Sequence, residues 1–142
     1  KMGLKVTDYV EELGETLGEA LLRPTRIYTK ACKALAKEIT AAGIIHITGG
    51  GFDENIPRVL HDGQGIEINE GRWESLPIFS LLEKWGDIPH REMFNIFNMG
   101  IGMVIVLDEA ESGKAIEILE SHGEKSFVIG RVVEGNKTVT IL

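Results

Sequence analysis

Cysteine is all but missing: Cys32 stands alone among 142 residues, so no internal disulfide can form, and no Cys/His spacing of the zinc-binding kind accompanies it. A chain without cross-links suits a reducing cytoplasm, which is the localisation expected. Basic charge is also scarce. Fifteen Lys and Arg face 22 Asp and Glu, for a net charge of −7. A nucleic-acid polymer or an anionic membrane needs a basic face, so neither is expected as a partner. A small phosphorylated ligand needs only one local cluster of donors and stays open. Long apolar runs are absent too: the longest, residues 101–107, is far short of the roughly 20 needed to cross a bilayer. The sequence opens on Lys1 rather than an initiator methionine, and is expected to be part of a longer protein.

What is present is an ordinary globular composition, 43% hydrophobic and 26% charged, long enough to bury the core of one domain. The stretch that organises it is GIIHITGGGFDENIPRVL, residues 43–60. Ile44, Ile45 and Ile47 read as a buried strand interrupted by His46. Strand side chains alternate faces, so His46 and Thr48 share one side with Ile44, while Ile45 and Ile47 take the other. Gly49, Gly50 and Gly51 follow, where the backbone turns sharply or lies against something. Pro57 is tolerated in a first helical turn, so a helix starts either at the glycines with a local distortion or at Asn55 as its cap.

Upstream, Thr16 and Glu19 have capping-box spacing and predict a short helix over residues 17–22, ended by Pro24. Thr25 is expected to cap the next helix, whose stripe is Ile27, Ala31, Ala34, Leu35, Ile39 and Ala42, with Gly43 as its stop. Downstream, GQGIEIN alternates as a half-buried strand, and helices are expected from Pro77 to about Gly86 and over HREMFNIF. IGMVIVL is apolar on both faces, which predicts a central strand. Asp108 and Glu111 mark a further helix that turns Ala115, Ile116 and Leu119 inward. Residues 127–133 and 138–142 read as a closing hairpin through Glu134, Gly135 and Asn136. The fold class is α/β: a mixed sheet flanked by helices.

Three clusters carry possible chemistry. His46 beside the glycines either binds an anion or moves a proton near neutral pH, or it is a core histidine bonded to a carbonyl. Free N–H groups at a helix start suit a phosphate, though no Gly-Lys-Ser/Thr follows to make a P-loop. Asn55 and Arg58 offer an amide and a guanidinium beside this loop. In the second cluster, Asn98 to Met103, Gly100 and Gly102 flank a strand entry and let a ligand or another backbone approach. In the third, RPTRIY, Arg23 and Arg26 sit at a helix start that favours anions, which calls for a carboxylate or bound anion nearby. Cys32 shows nothing that would lower its pKa. Asp8, Glu11, Glu12, Glu15 and Glu19 read as a solvated face rather than a metal site.

LGEALLRPTRIY from Leu17, HITGGGFDENIPRVL from His46, Trp73 with Pro77, Ile78 and Phe79, and FNMGIGMVIVL from Phe97 together resemble the C-terminal half of the aminoimidazole ribonucleotide (AIR) synthetase family, the phosphoribosylformylglycinamidine cyclo-ligases. The resemblance covers residues 1–142. It implies an AIR-synthetase-like C-terminal domain without its first strand, the following His-Ser-Asn-Gly segment, and the N-terminal ATP-binding domain. It implies ATP-dependent closure of the imidazole ring of formylglycinamidine ribonucleotide in purine biosynthesis. ATP and Mg²⁺ would be held mainly by the N-terminal half, and the full-length parent would be a homodimer. His46 would be catalytic. Thr48, Gly49, Gly50, Gly51, Asn55, Arg26, Asn98, Gly100 and Gly102 would face the ribonucleotide, and no metal ligand is expected among these residues. Alone, the 142-residue piece is not expected to catalyse the reaction. The alternatives are another enzyme of the same ATP-binding superfamily, such as formylglycinamidine ribonucleotide synthetase or selenophosphate synthetase, or a non-catalytic phosphometabolite-binding module.

Overall fold

Two antiparallel strands, over residues 43–46 and 103–106, lead into the glycine stretch and out of the Asn98 turn. They are seen in a computed structural model that describes residues 3–142. Strands β1 (Tyr9–Val10) and β2 (Glu15–Thr16) form a short hairpin. Helix α1 (Leu17–Leu21) follows with the predicted capping box: the Thr16 hydroxyl accepts from the Glu19 N–H, and the Thr16 N–H donates to the Glu19 carboxylate at 2.9 Å. The Thr16 hydroxyl, then its backbone N–H, hold the Glu19 carboxyl below its ordinary pKa.

Helix α2 (Thr29–Leu35) is shorter than its apolar stripe predicts. Thr25 does not cap it, and Ile27 is 83% exposed. The segment before it has no side-chain cap and stays outside the helix, with Arg26 bonded instead to the distant Gly123 and Glu124. At the other end the backbone tightens past Leu35 and still delivers Ile39 into the core.

Strand β3 (Gly43–His46), helix α3 (Gly51–Asn55) and a 3₁₀ turn (Ile56–Val59) build the organising stretch. Strand β4 (Gln64–Ile68), helix α4 (Pro77–Gly86) and helix α5 (His90–Ile96) match their sequence signals closely. Strand β5 (Met103–Val106), helix α6 (Ser112–Ser121) and strands β6 (Gly130–Glu134) and β7 (Val139–Ile141) complete the fold. The class is the mixed α/β expected, with the strands of the described residues divided among three small sheets.

Two pairings differ from the sequence reading. Among the described residues β5 pairs only with β3, and so is not a central strand. Both its faces are apolar because it lies between two cores. Val104 joins the main core of Phe52, Ile56, Ile68 and Phe94, while Ile105 packs on Leu35, Ile39 and Ala115 from the α2–α6 side. Ile118 and Leu119 of α6 reach that second core, whereas Ile116 does not join it. The closing hairpin is also absent: β4 lies between β6 and β7, antiparallel to the first and parallel to the second. The connecting loop wraps the start of β4. The Gly135 N–H donates to the Gly63 carbonyl at 3.0 Å, and Lys137, at φ +56°, donates to Gln64 at 2.6 Å. The apolar faces of β4 outcompete a local turn.

Candidate functional site

Strand alternation decides what β3 offers to solvent. Ile45 and Ile47 are 5% and 2% exposed, whereas Ile44, His46 and Thr48 are exposed on the opposite side. His46 is therefore not a core histidine. Its strand pairs with β5 so that His46 stands opposite Met103, and the Ile47 N–H donates to the Gly102 carbonyl at 2.9 Å. The two glycine-bearing motifs, more than a third of the chain apart, thus meet at one point.

The three glycines have three different reasons. Gly51 takes φ +53°, and a Cβ there would overlap the Phe94 carbonyl, so α3 and α5 can pack only across a glycine. Gly50 takes φ +88° as the residue before α3, where any side chain would meet Glu54. Gly49 is exposed and has nothing within reach of a Cβ. The fold does not require a glycine at that position.

Asn55 is 1% exposed. Its Nδ2 donates to the Gly51 carbonyl at 2.7 Å, to Gly49 at 3.2 Å and to Thr48 at 3.3 Å, so it braces the loop from within. Its Oδ1 is buried with no partner. Of the two helix starts, the one at the glycines forms, and Pro57 is absorbed by the 3₁₀ turn. Arg58 is exposed on that turn.

Asn98, Met99 and Gly100 make a tight turn into β5. The Gly100 N–H donates to Asn98 Oδ1 at 3.0 Å, with Met99 at φ +49° and Gly100 at φ +94°. The Trp73 indole donates to the Met99 carbonyl at 2.9 Å while its ring stacks on Phe52, with centroids 6.2 Å apart. Trp73 therefore couples the core to the turn.

A broad cleft of about 1910 Å³ runs past these elements. Of the residues expected at the site, it brings together His46, Thr48, Arg26, Asn98, Gly100 and Gly102. Gly49, Gly50, Gly51 and Asn55 do not line it. The carboxylates that the two arginines call for are both present: Arg23 pairs with Glu15, and Arg26 with Glu124 at 3.2 Å.

Tyr28 and Glu124 also line the cleft, and no sequence signal singled them out. Tyr28 sits two residues after Arg26, close enough to be suspected from RPTRIY. Glu124 lies in a featureless polar loop, and only the tertiary fold brings it close. Burial, then Glu124, push the Tyr28 phenol up, against the opposing pull of Arg26. Burial and Glu124 likewise push the Cys32 thiol up, which leaves it a poor nucleophile. Among the described residues, no three His, Cys, Asp or Glu side chains gather as metal ligands, and no helix is long and apolar enough to cross a membrane.

Comparison with known proteins follows the same lines. Residues 2–142 match the family model described as AIR synthase related protein, C-terminal domain. The chain is 48% identical over 141 residues to the phosphoribosylformylglycinamidine cyclo-ligase of Thermoanaerobacter sp., covering 99% of this chain and 42% of that one. It is 50% identical over 131 residues to the same-named protein of Bifidobacterium longum subsp. infantis, covering 92% of this chain and 38% of that one. It thus spans about two fifths of the length of the curated relatives it matches. Among solved structures, E. coli HypE, a hydrogenase maturation protein, superposes with a TM-score of 0.64 at 21% identity, covering 89% of this chain and 41% of that one. That likeness concerns the fold alone.

Proposed function

The chain belongs to the AIR synthase related protein C-terminal domain family, and we propose from that membership that it forms the C-terminal part, over residues 1–142, of a cytoplasmic phosphoribosylformylglycinamidine cyclo-ligase. The reaction is closure of the imidazole ring of formylglycinamidine ribonucleotide: an amidine nitrogen attacks the formyl carbon as its C–O bond breaks, the oxygen leaves as phosphate after activation by ATP, and aminoimidazole ribonucleotide, ADP and a proton are released. The observation that carries this reading is the pairing of His46 with Met103, which joins HITGGG and NMGIG on one cleft wall. The full-length protein is read as a homodimer acting on a small ribonucleotide.

In this reading His46 is the residue that gives or takes a proton at the cleft, since its imidazole is exposed on the cleft side of β3. Thr48 contributes a hydroxyl to the cleft, and Gly49, beside Thr48 though outside the cleft lining, offers an open backbone to a ligand that extends past Thr48. The Asn98–Gly102 turn shapes the same wall. Gly50, Gly51 and Asn55 serve the ligand indirectly, by fixing the loop that presents Thr48 and Gly49. ATP, when bound, supplies phosphoryl activation of the amide oxygen. Among the described residues no three ligating side chains converge, and the Mg²⁺ that accompanies ATP would be held mainly by the N-terminal half.

Calorimetric titration of the full-length protein with formylglycinamidine ribonucleotide, followed by a turnover assay with ATP, tests the proposal. Binding with ring closure is expected. Binding without closure would make the domain a phosphometabolite-binding module, and closure failing while another substrate of the superfamily turns over would reassign the enzyme.

A further inference from the structure

Tyr28 occupies a position that the packing of the core does not demand. It closes an exposed segment in which Leu22 and Ile27 are each 83% exposed, and it makes no side-chain cap for α2. Yet its side chain has two neighbours at the site, and its segment has a tether. It meets the His46 imidazole edge-on, with centroids 6.0 Å apart and planes at 70°. Its hydroxyl fills the space over Gly102, where a Cβ would overlap Oη and lie 3.0 Å from Cζ. Two residues before it, Arg26 fastens the segment to the Gly123 carbonyl at 3.1 Å and to Glu124 at 3.2 Å.

Each contact changes the reading of a residue at the site. Gly102 lacks a side chain because the phenol of Tyr28 lies there, so the missing atoms make room for protein rather than ligand. Arg26 spends its guanidinium on the loop after α6, which keeps Tyr28 over the strand pair. His46 is exposed on its strand, with no side-chain hydrogen bond to its ring among the described residues, and the Tyr28 ring lies on its flank in addition to Met103 opposite.

We propose that Tyr28 is the positioning residue for His46: seated over Gly102 and tethered through Arg26 and Glu124, its ring sets the direction in which the imidazole faces the cleft. The proposal deepens the reading that His46 serves ring closure, and rests on it for its effect on rate. The ring does the positioning, and the hydroxyl serves to seat it. Tyr28→Phe therefore keeps the alignment and Tyr28→Ala loses it. Gly102→Ala drives the phenol out and copies Tyr28→Ala.

The test uses the full-length protein with ¹³Cε1-labelled histidine, the His46 resonance being assigned by its loss in His46→Gln. In Tyr28→Ala and Gly102→Ala the His46 Hε1 signal moves as the ring current of Tyr28 is withdrawn, and in Tyr28→Phe it stays near its original place. In the same variants, kcat for ring closure falls about 10- to 100-fold in Tyr28→Ala, as expected for a misdirected reacting group, and Tyr28→Phe recovers most of that loss. A His46 resonance that is unmoved in Tyr28→Ala overturns the proposal, as does a kcat loss in Tyr28→Phe equal to that in Tyr28→Ala. A wild-type protein with no ring closure at all contradicts the function reading instead, while the His46 resonance still decides the positioning.

Discussion

The Trp73 indole N–H reaches across 26 residues of sequence to the Met99 carbonyl, a buried hydrogen bond of 2.9 Å that holds the cleft turn to the hydrophobic core. Its ring lies on Phe52, which is itself fully buried next to Gly51. One side chain thus links both glycine motifs. Trp73→Phe keeps most of the stacking but leaves the Met99 carbonyl without its donor, at a cost of about 1–3 kcal/mol. Trp73→Ala adds a cavity and should cost roughly 3–5 kcal/mol. Urea unfolding followed by circular dichroism reads both, and equal midpoints for the wild type and Trp73→Phe would show that the bond contributes nothing.

Two adjacent-looking glycines should behave oppositely. At Gly51 a side chain must adopt φ +53° and collide with the Phe94 carbonyl, so Gly51→Ala is expected to cost roughly 2–5 kcal/mol. At Gly49 a Cβ meets open space, and Gly49→Ala should change stability by no more than about 0.5 kcal/mol. If the Gly49 backbone lies against ligand, the same substitution weakens formylglycinamidine ribonucleotide binding in calorimetry. Unchanged affinity in Gly49→Ala would remove Gly49 from the ligand's surroundings.

His90 provides a pH-dependent contribution away from the cleft. Its Nε2 lies 2.8 Å from Glu70 and its Nδ1 3.0 Å from Glu83, so both contacts are hydrogen bonds only when the ring carries both protons. The Glu70 and Glu83 hydrogen bonds, in that order, raise its pKa above the ordinary value of 6.5, against a smaller effect of burial. A raised value means the folded state holds the proton more tightly than the unfolded one. The contribution is therefore complete below about pH 6.5 and fades as pH rises through the folded-state value. The ring is half-exposed, which limits the contribution to about 1 kcal/mol or less. Unfolding midpoints measured from about pH 5.5 to 8.5 should fall more steeply for the wild type than for His90→Gln. Parallel profiles would contradict the assignment.

Much of this architecture can be read locally. The Thr16–Glu19 capping box, the Pro77 and Gly86 bounds of α4, and the two-residue alternation that turns His46 outward are all short-range signals, and each appears in the structure. What could not be read depends on distant partners. Nothing near residues 134–136 indicates that β4 will lie between β6 and β7, and nothing near RPTRIY indicates that Arg26 will pair with Glu124. Apolar residues on both faces of β5 report burial on both sides, but do not say whether strands or helices supply it. At the site, sequence found the outward face of β3 and the turn at Asn98, but could not separate the glycines needed for packing from the one left open.

The most direct measurement is ring closure by the full-length protein with His46→Ala, assayed as aminoimidazole ribonucleotide formed from formylglycinamidine ribonucleotide and ATP. Loss of a positioned proton-transfer group should lower kcat by about 10²–10⁴-fold while the protein remains folded and still binds the ribonucleotide. Cyclisation at the wild-type rate in His46→Ala would contradict the assignment of His46 to the chemistry.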